Sequence, residues 1–235
     1  IGNMEYWVSE DGKSCHTAQG GSGGIYPRST AGAIFQDGIL VGGYQGGALK
    51  VSGQIYRIGT VAGYIGANGL ETTDARIYRI RKDWASLTPA MVRQETAEYF
   101  ETPIGSVTDA DMQVVLDNYA TDWAAWPTHL GAPFYDLDND GVYEPADGET
   151  PGIANADQVL WFVCSDADPT TTADLYGTEP MNIEMQMTLW GYNQPLASVR
   201  LSLNKPELLT EALKILPMRT FHSGLIQISV TMVMI

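Results

Sequence analysis

AIFQDGILVGG at residues 33–43, ALKVSGQIYRIG at 48–59 and ARIYRIRKD at 75–83 are runs of apolar, β-branched and aromatic residues split by glycine-containing turns. Such side chains suit a pleated surface and glycine eases tight connections, so the pattern predicts strands folded back on one another in an antiparallel meander. Glycine is concentrated here, 17 of the 25 lying in the first 69 residues. Further along, QVLWFVCS (158–165), NIEMQMTLWGY (182–192) and ASVRLSL (197–203) also read as strands. Between the two groups, Thr88 and Pro89 supply an N-cap and a first-turn proline for a helix toward Phe100. Thr108 with Asp111 resembles a capping box, and Met112, Val115, Leu116 and Tyr119 fall on one helical face. The expected fold is mainly β: an antiparallel meander or sandwich-like sheets with a small two-helix insertion near 88–124, residues 1–205 forming a single domain.

A chain of 235 residues with 44% hydrophobic content can bury a full core. No segment reaches the roughly 18 apolar residues needed to span a bilayer, and the longest apolar run, near 226–235, is too short. The sequence begins at Ile1 without an initiator Met or an apolar signal region, which is expected of a mature product or an interior fragment with N- and C-terminal parts missing. The formal net charge of -15 argues against nucleic acid as a partner, because phosphate binding needs clustered Lys and Arg. Arg76, Arg79, Arg81 and Lys82 come nearest to a basic patch and read as one face of a strand. From Gln94 to Val199 there is no Lys or Arg, yet 19 of the 28 acidic residues lie in that stretch. Counterions, bound cations or dispersal of the carboxylates must offset the resulting repulsion.

One segment is built for such a cation. Residues 136–147, DLDNDGVYEPAD, place Asp136, Asp138 and Asp140 on alternate positions, Gly141 at the sixth, Val142 at the seventh, Glu144 at the ninth and Asp147 at the twelfth. This is the ligand order of a calcium loop, in which a seventh-position carbonyl joins the carboxylates and a glycine turn lets a short segment wrap the ion. The competing reading is a solvated acidic turn that uses Asp, Asn and Gly for their turn chemistry. Pro145 argues against a helix starting inside the loop, so a stand-alone structural calcium turn is expected rather than a helix-loop-helix sensor. Asp166, Asp168 and Asp174 lack the glycine turn and make a poorer second site.

Other apparent motifs have plainer explanations. Gly20 to Gly24 match G-x-S-x-G, but Ile25, Tyr26 and Pro27 follow where a nucleophile elbow needs a helix. The histidines His16, His129 and His222 sit in no recognisable general-base setting. Cys15 beside His16 lacks a partner cluster for metal or nucleophilic work, and Cys15 with Cys164 permits either one internal disulfide or two free thiols. Trp123, Trp126, Trp161 and Trp190 can stack on sugars, with core packing as the default.

IYPRSTAGAIFQDGILVGG (25–43), FYDLDNDGVYEP (134–145), TPGIANADQVLWFV (150–163) and TLWGYNQP (188–195) resemble segments of large secreted proteins from Bacteroidota and related bacteria, a group without an assigned activity. Many of these end in a type IX secretion sorting domain, which this sequence does not contain. The resemblance covers most of residues 1–205 and implies export to the cell surface or medium, where an extracellular protein or glycan is the expected partner. The expectation is a secreted, calcium-stabilised structural or interaction module, with an exported hydrolase acting on polysaccharide through a carboxylate pair as the alternative.

Residues 206–235 depart from that pattern. Codons for Met218 to Ile235 can be chosen that, read one base earlier, give DAYISQWSDPDLSDYGDD, an acidic continuation like that of the resembled group. The segment is therefore expected to be out of frame and to pack poorly. Helical spacing of Leu208, Leu209, Ala212, Leu213 and Leu216, and a strand-like ISVTMVMI, are the competing signals. Sequencing the coding DNA separates the two readings.

Overall fold

The computed structural model describes residues 2–55, 57–193, 200–204 and 226–234, the last two stretches as backbone only. The chain is mainly β, with several small antiparallel sheets and, among the described residues, three α-helices. It divides into two compact units, Ile1–Ile77 with Trp161–Ile235, and Tyr78–Leu160.

In the first unit β1 (Glu5–Tyr6), β2 (Gly24–Ile25) and β3 (Gly32–Ile34) form a three-stranded antiparallel sheet. β4 (Ile39–Gln45) and β5 (Ala48–Gln54) pair as a hairpin from Ile39↔Gln54 to Gln45↔Ala48. Gly46 and Gly47 close it at φ of +60° and +83°. Two consecutive positive φ values match the right-handed twist of the flanking strands, which is why glycine fills both positions. β6 (Val61–Ala62) precedes a second hairpin of β7 (Tyr64–Gly66) and β8 (Gly69–Glu71).

The second unit begins with β9 (Tyr78–Arg81), continues through α1 (Pro89–Tyr99) and α2 (Asp109–Ala124), and ends beyond the short strands β10 (Phe134–Tyr135) and β11 (Thr150–Pro151). Its core joins Val92, Ala97, Val107, Met112, Val115 and Tyr119, with Leu116 packed against it, so the predicted face of α2 is the buried one. The capping box is complete: Thr108 N–H donates to Asp111 Oδ2 at 2.9 Å and Asp111 N–H to Thr108 Oγ1 at 3.2 Å. Thr108→Ala removes one of these bonds and should lower stability by about 1 kcal/mol in urea unfolding. At α1, Thr88 holds the N-cap place but its hydroxyl makes no capping bond. Instead Met91 N–H donates to the Thr88 carbonyl at 2.9 Å, and Pro89 has no N–H to offer.

β12 (Gln158–Ser165) is followed by α3 (Pro169–Tyr176), β13 (Ile183–Gly191), β14 (Arg200–Asn204) and β15 (Ile226–Met234). The sheet order is β14-β15-β13-β12-β6. Trp161, Phe162, Val163 and Cys164 on β12 and Ile183, Met185, Leu189 and Trp190 on β13 are all buried. Their near-continuous apolar runs are what strands covered on both faces require. β15 pairs antiparallel with β13 but parallel with β14. Parallel neighbours need a long connection, and residues 205–225 separate the two in sequence. Of the segment expected to be out of frame, 226–234 forms β15; residues 206–225 and 235 lie outside the described residues, as does the packing of β15 side chains.

The structure also settles several local readings. Cys15 and Cys164 are free and buried. Ser22 of the glycine loop donates to Ile34 O at 2.7 Å, and β2 rather than a helix follows it. His16 packs edge-on against Phe35, and His129 lies in a short 3-10 turn, whereas His222 is outside the described residues. Trp126, Trp161 and Trp190 are buried, and the Trp123 ring lies 5.9 Å from that of Trp84. No helix among the described residues is long and apolar enough to cross a membrane.

Candidate metal centre

The acidic loop hangs from a two-stranded clasp. β10 and β11 pair as Phe134↔Pro151 and Tyr135↔Thr150, which brings the two ends of 136–149 together. Tyr143 fastens the middle: its ring meets Phe134 edge-on at 5.6 Å and its hydroxyl donates to Trp123 O at 2.8 Å. Burial, and next the Glu149 carboxylate, push the Tyr143 phenol up, so it stays a neutral donor.

Within the loop each aspartate folds the backbone that follows it. Asp136 accepts from Asn139 N–H at 2.7 Å and Gly141 N–H at 2.9 Å, Asp138 from Asp140 N–H at 3.2 Å, and Asp140 from Val142 N–H at 2.7 Å. These turns tighten the segment into a coil and hold the carboxylates close to it. Gly141 has a φ of +80° with open space where a Cβ would stand, so backbone conformation and not crowding demands glycine there.

Two carboxylate groups result. Asp136, Asp138 and Glu149 can bring one oxygen each within 4.8 Å of one another, and so can Asp138, Asp140 and Glu144. Asp138 belongs to both. The three aspartates of the sequence pattern are therefore gathered, Glu144 joins them, Asp147 stands in neither group, and Val142 is placed as a backbone donor. Asp147 closes a 3-10 turn, Pro145–Asp147, whose N-cap is Glu144.

Glu149 is the residue that the twelve-residue pattern does not include. It is 3% exposed, and its two oxygens accept from Leu137 N–H at 2.9 Å and Glu144 N–H at 2.8 Å. It therefore bridges the start and the middle of the loop, and one of its oxygens lies within 4.8 Å of one from Asp136 and one from Asp138. Among the described residues, no Lys or Arg pairs with any of these five carboxylates. Asp166, by contrast, is buried and accepts from Met181 and Ile183 N–H, and Asp168 caps α3 through Thr170 N–H, so both serve structure.

The crowding has electrostatic consequences. Glu144 is raised above its ordinary value, chiefly by Asp140, then by Asp147 and, more weakly, by desolvation, Asp138 and Glu149. On Asp136 burial acts upward, but the N–H donors of Gly141, Asn139 and Asp140 outweigh it and the carboxyl lies below the usual value. A raised folded value means that ionising Glu144 costs the fold: the penalty is absent below its unfolded pKa and appears as pH rises through the folded one. For Asp136 the sign reverses, with stability present above the unfolded pKa and lost as pH falls through the folded one. In a carboxyl NMR titration, Glu144 should titrate higher than Asp136, and a bound divalent cation should move the Glu144 midpoint down.

The donor set is all oxygen, with no thiol or imidazole, which fits a hard divalent cation and not a soft one. Comparison with known protein families, curated proteins and solved structures finds no match to this chain.

Proposed function

We propose that the loop 136–149 holds a calcium ion and that the chain is a secreted or cell-surface module whose fold the ion stabilises. The observation that carries this reading is the pair of carboxylate groups sharing Asp138, with no basic partner among the described residues. Five carboxylates, with backbone oxygens and water, can supply the six to eight oxygen ligands calcium takes; magnesium prefers a tighter octahedron and keeps more of its water. Asp136, Asp138 and Glu149 would hold one side of the ion, and Asp140 and Glu144 the other. Bound there, calcium supplies positive charge that offsets the repulsion among these groups. Its role is structural, and export to the surface or medium rests on the sequence resemblance. A recognition role toward an extracellular protein or glycan is the activity consistent with that location.

Calorimetric titration of the chelator-stripped chain should give saturable calcium binding that Asp138→Asn abolishes, with magnesium weaker by tenfold or more. Equal heats for wild type and the Asp138 variant would remove the assignment. Surface labelling and fractionation of the producing cells test export separately, and a purely cytosolic protein would contradict that part alone.

A further inference from the structure

The hairpin of β4 and β5 has one covered face and one open face. On the covered side Val41 and Ser52 are buried, Gln45 Nε2 donates to Met181 O at 3.2 Å and Lys50 Nζ to Pro180 O at 2.7 Å. On the other side Leu40, Tyr44 and Leu49 are 53%, 71% and 57% exposed, and Tyr44 stands directly opposite Leu49. Large apolar side chains grouped in this way mark a contact surface.

The two edges of the hairpin also differ. Its two-residue turn makes Gln45↔Ala48 a hydrogen-bonded pair. Alternation then turns the backbone N–H and C=O groups of Leu49, Val51 and Gly53 outward on β5, and those of Tyr44, Gly42 and Leu40 outward on β4. The β5 edge is covered: Val51 N–H donates to Thr178 Oγ1 at 3.4 Å, and the Gly53 carbonyl accepts from the Tyr176 hydroxyl at 2.8 Å. Among the described residues no strand pairs with the β4 edge. Nor does that edge carry what usually blocks pairing, since its seven residues, ILVGGYQ, include no Pro and no charged side chain.

We propose that β4 pairs edge to edge with β4 of a second copy of this chain, antiparallel about a two-fold axis at Gly42, so that two hairpins form one four-stranded sheet. Three features of the strand select a second copy as its partner. First, the register is self-complementary. With Gly42 opposite the partner's Gly42, Leu40 meets the partner's Tyr44 and Tyr44 meets the partner's Leu40, all on the open face, and the bare glycines between them leave room for the rings. Second, the chain has 28 acidic residues but none between positions 38 and 70, so two chains of net charge -15 meet where neither strand presents a carboxylate. Third, the covered β5 edge ends the sheet at four strands, and assembly closes at a dimer instead of growing into a filament.

Sedimentation equilibrium of the full chain over a rising concentration series tests the pairing. The mass should climb from 25.6 kDa toward twice that value and stop there. Leu40→Lys with Tyr44→Lys in one chain sets like charges opposite each other twice across the axis and should weaken the dimer by about tenfold or more. Leu40→Lys with Tyr44→Glu sets opposite charges there and should dimerise more tightly than the first variant. All these side chains point to solvent in the single chain, so the fold should be kept. A short bifunctional thiol reagent should join two chains of Gly42→Cys, where an added Cβ meets nothing closer than 3.7 Å, and should not join those of Ala48→Cys on the outer strand. A wild-type chain monomeric up to about 1 mM would overturn the proposal. So would a dimer that the first variant leaves unchanged, or growth past two copies. The wild-type series and the cross-link decide the matter even if a charged variant fails to fold.

Discussion

Glu95→Ala should lower the free energy of unfolding by about 3–5 kcal/mol, the usual cost of leaving buried charge without its partner. Glu95 is 7% exposed and is met by Arg79 at 3.5 Å and Arg81 at 3.0 Å. It also accepts from the Tyr119 hydroxyl and from Gln158 Nε2 at 3.1 Å. The Arg79 guanidinium lies 4.9 Å from the ring centres of both Tyr99 and Tyr119, so it cannot easily turn toward water when the carboxylate is gone. Arg81 retains Asp83, in a bidentate contact with nitrogen to oxygen distances of 2.9 and 2.8 Å, which keeps the loss from growing further. Glu95→Gln keeps the shape and one acceptor and should fall between wild type and alanine. Urea unfolding measures all three proteins, and a loss below 1 kcal/mol for alanine would contradict the account of this network.

The second large effect is expected at Asp166, which is 1% exposed and accepts from Met181 N–H and Ile183 N–H, each at 2.7 Å. Two short bonds to a charged acceptor are each worth roughly 1.5–3 kcal/mol, so Asp166→Ala should cost about 3 kcal/mol or more. Asp166→Asn is the sharper probe. An amide has one acceptor oxygen and one donor nitrogen, so one of the two N–H groups would face another donor. Asparagine should therefore be nearly as damaging as alanine, and a variant that unfolds like wild type would show that the bonds do not carry the turn into β13.

These two carboxylates show what sequence reading can and cannot find. α2 was legible because its cap and its apolar face are local: Thr108 and Asp111 are three residues apart, and Met112, Val115 and Tyr119 recur at helical spacing. β12 was legible because QVLWFVCS is too apolar and β-branched to be anything exposed. The aspartates of the loop were legible by alternation, since the backbone that joins them also sets their convergence. Glu149 was not, because β10 and β11 deliver it from beyond the twelve-residue pattern and its partners are fixed by pairing across the clasp. The basic residues of β9 were read as a strand face. Their true counterpart, Glu95, comes from α1 and has no signal in the local sequence. α3 was missed for a different reason: PTTTADLY has no apolar period, and its start depends on Asp168 acting as a cap, a residue weighed in the sequence only as part of a poorer metal site. The parallel pairing of β14 with β15 likewise depends on a long connection and leaves no trace in either strand.

The proposed site links calcium to the fold of the acidic loop, and thermal unfolding of the chelator-stripped chain against free calcium measures that link. A ligand at one hundred times its Kd that binds only the folded state adds about 2.7 kcal/mol, which for a chain of this length raises Tm by roughly 5–10 °C. Wild type should show that rise, chelator should reverse it and Asp138→Asn should abolish it; a Tm unmoved by calcium across that range would refute the proposed site.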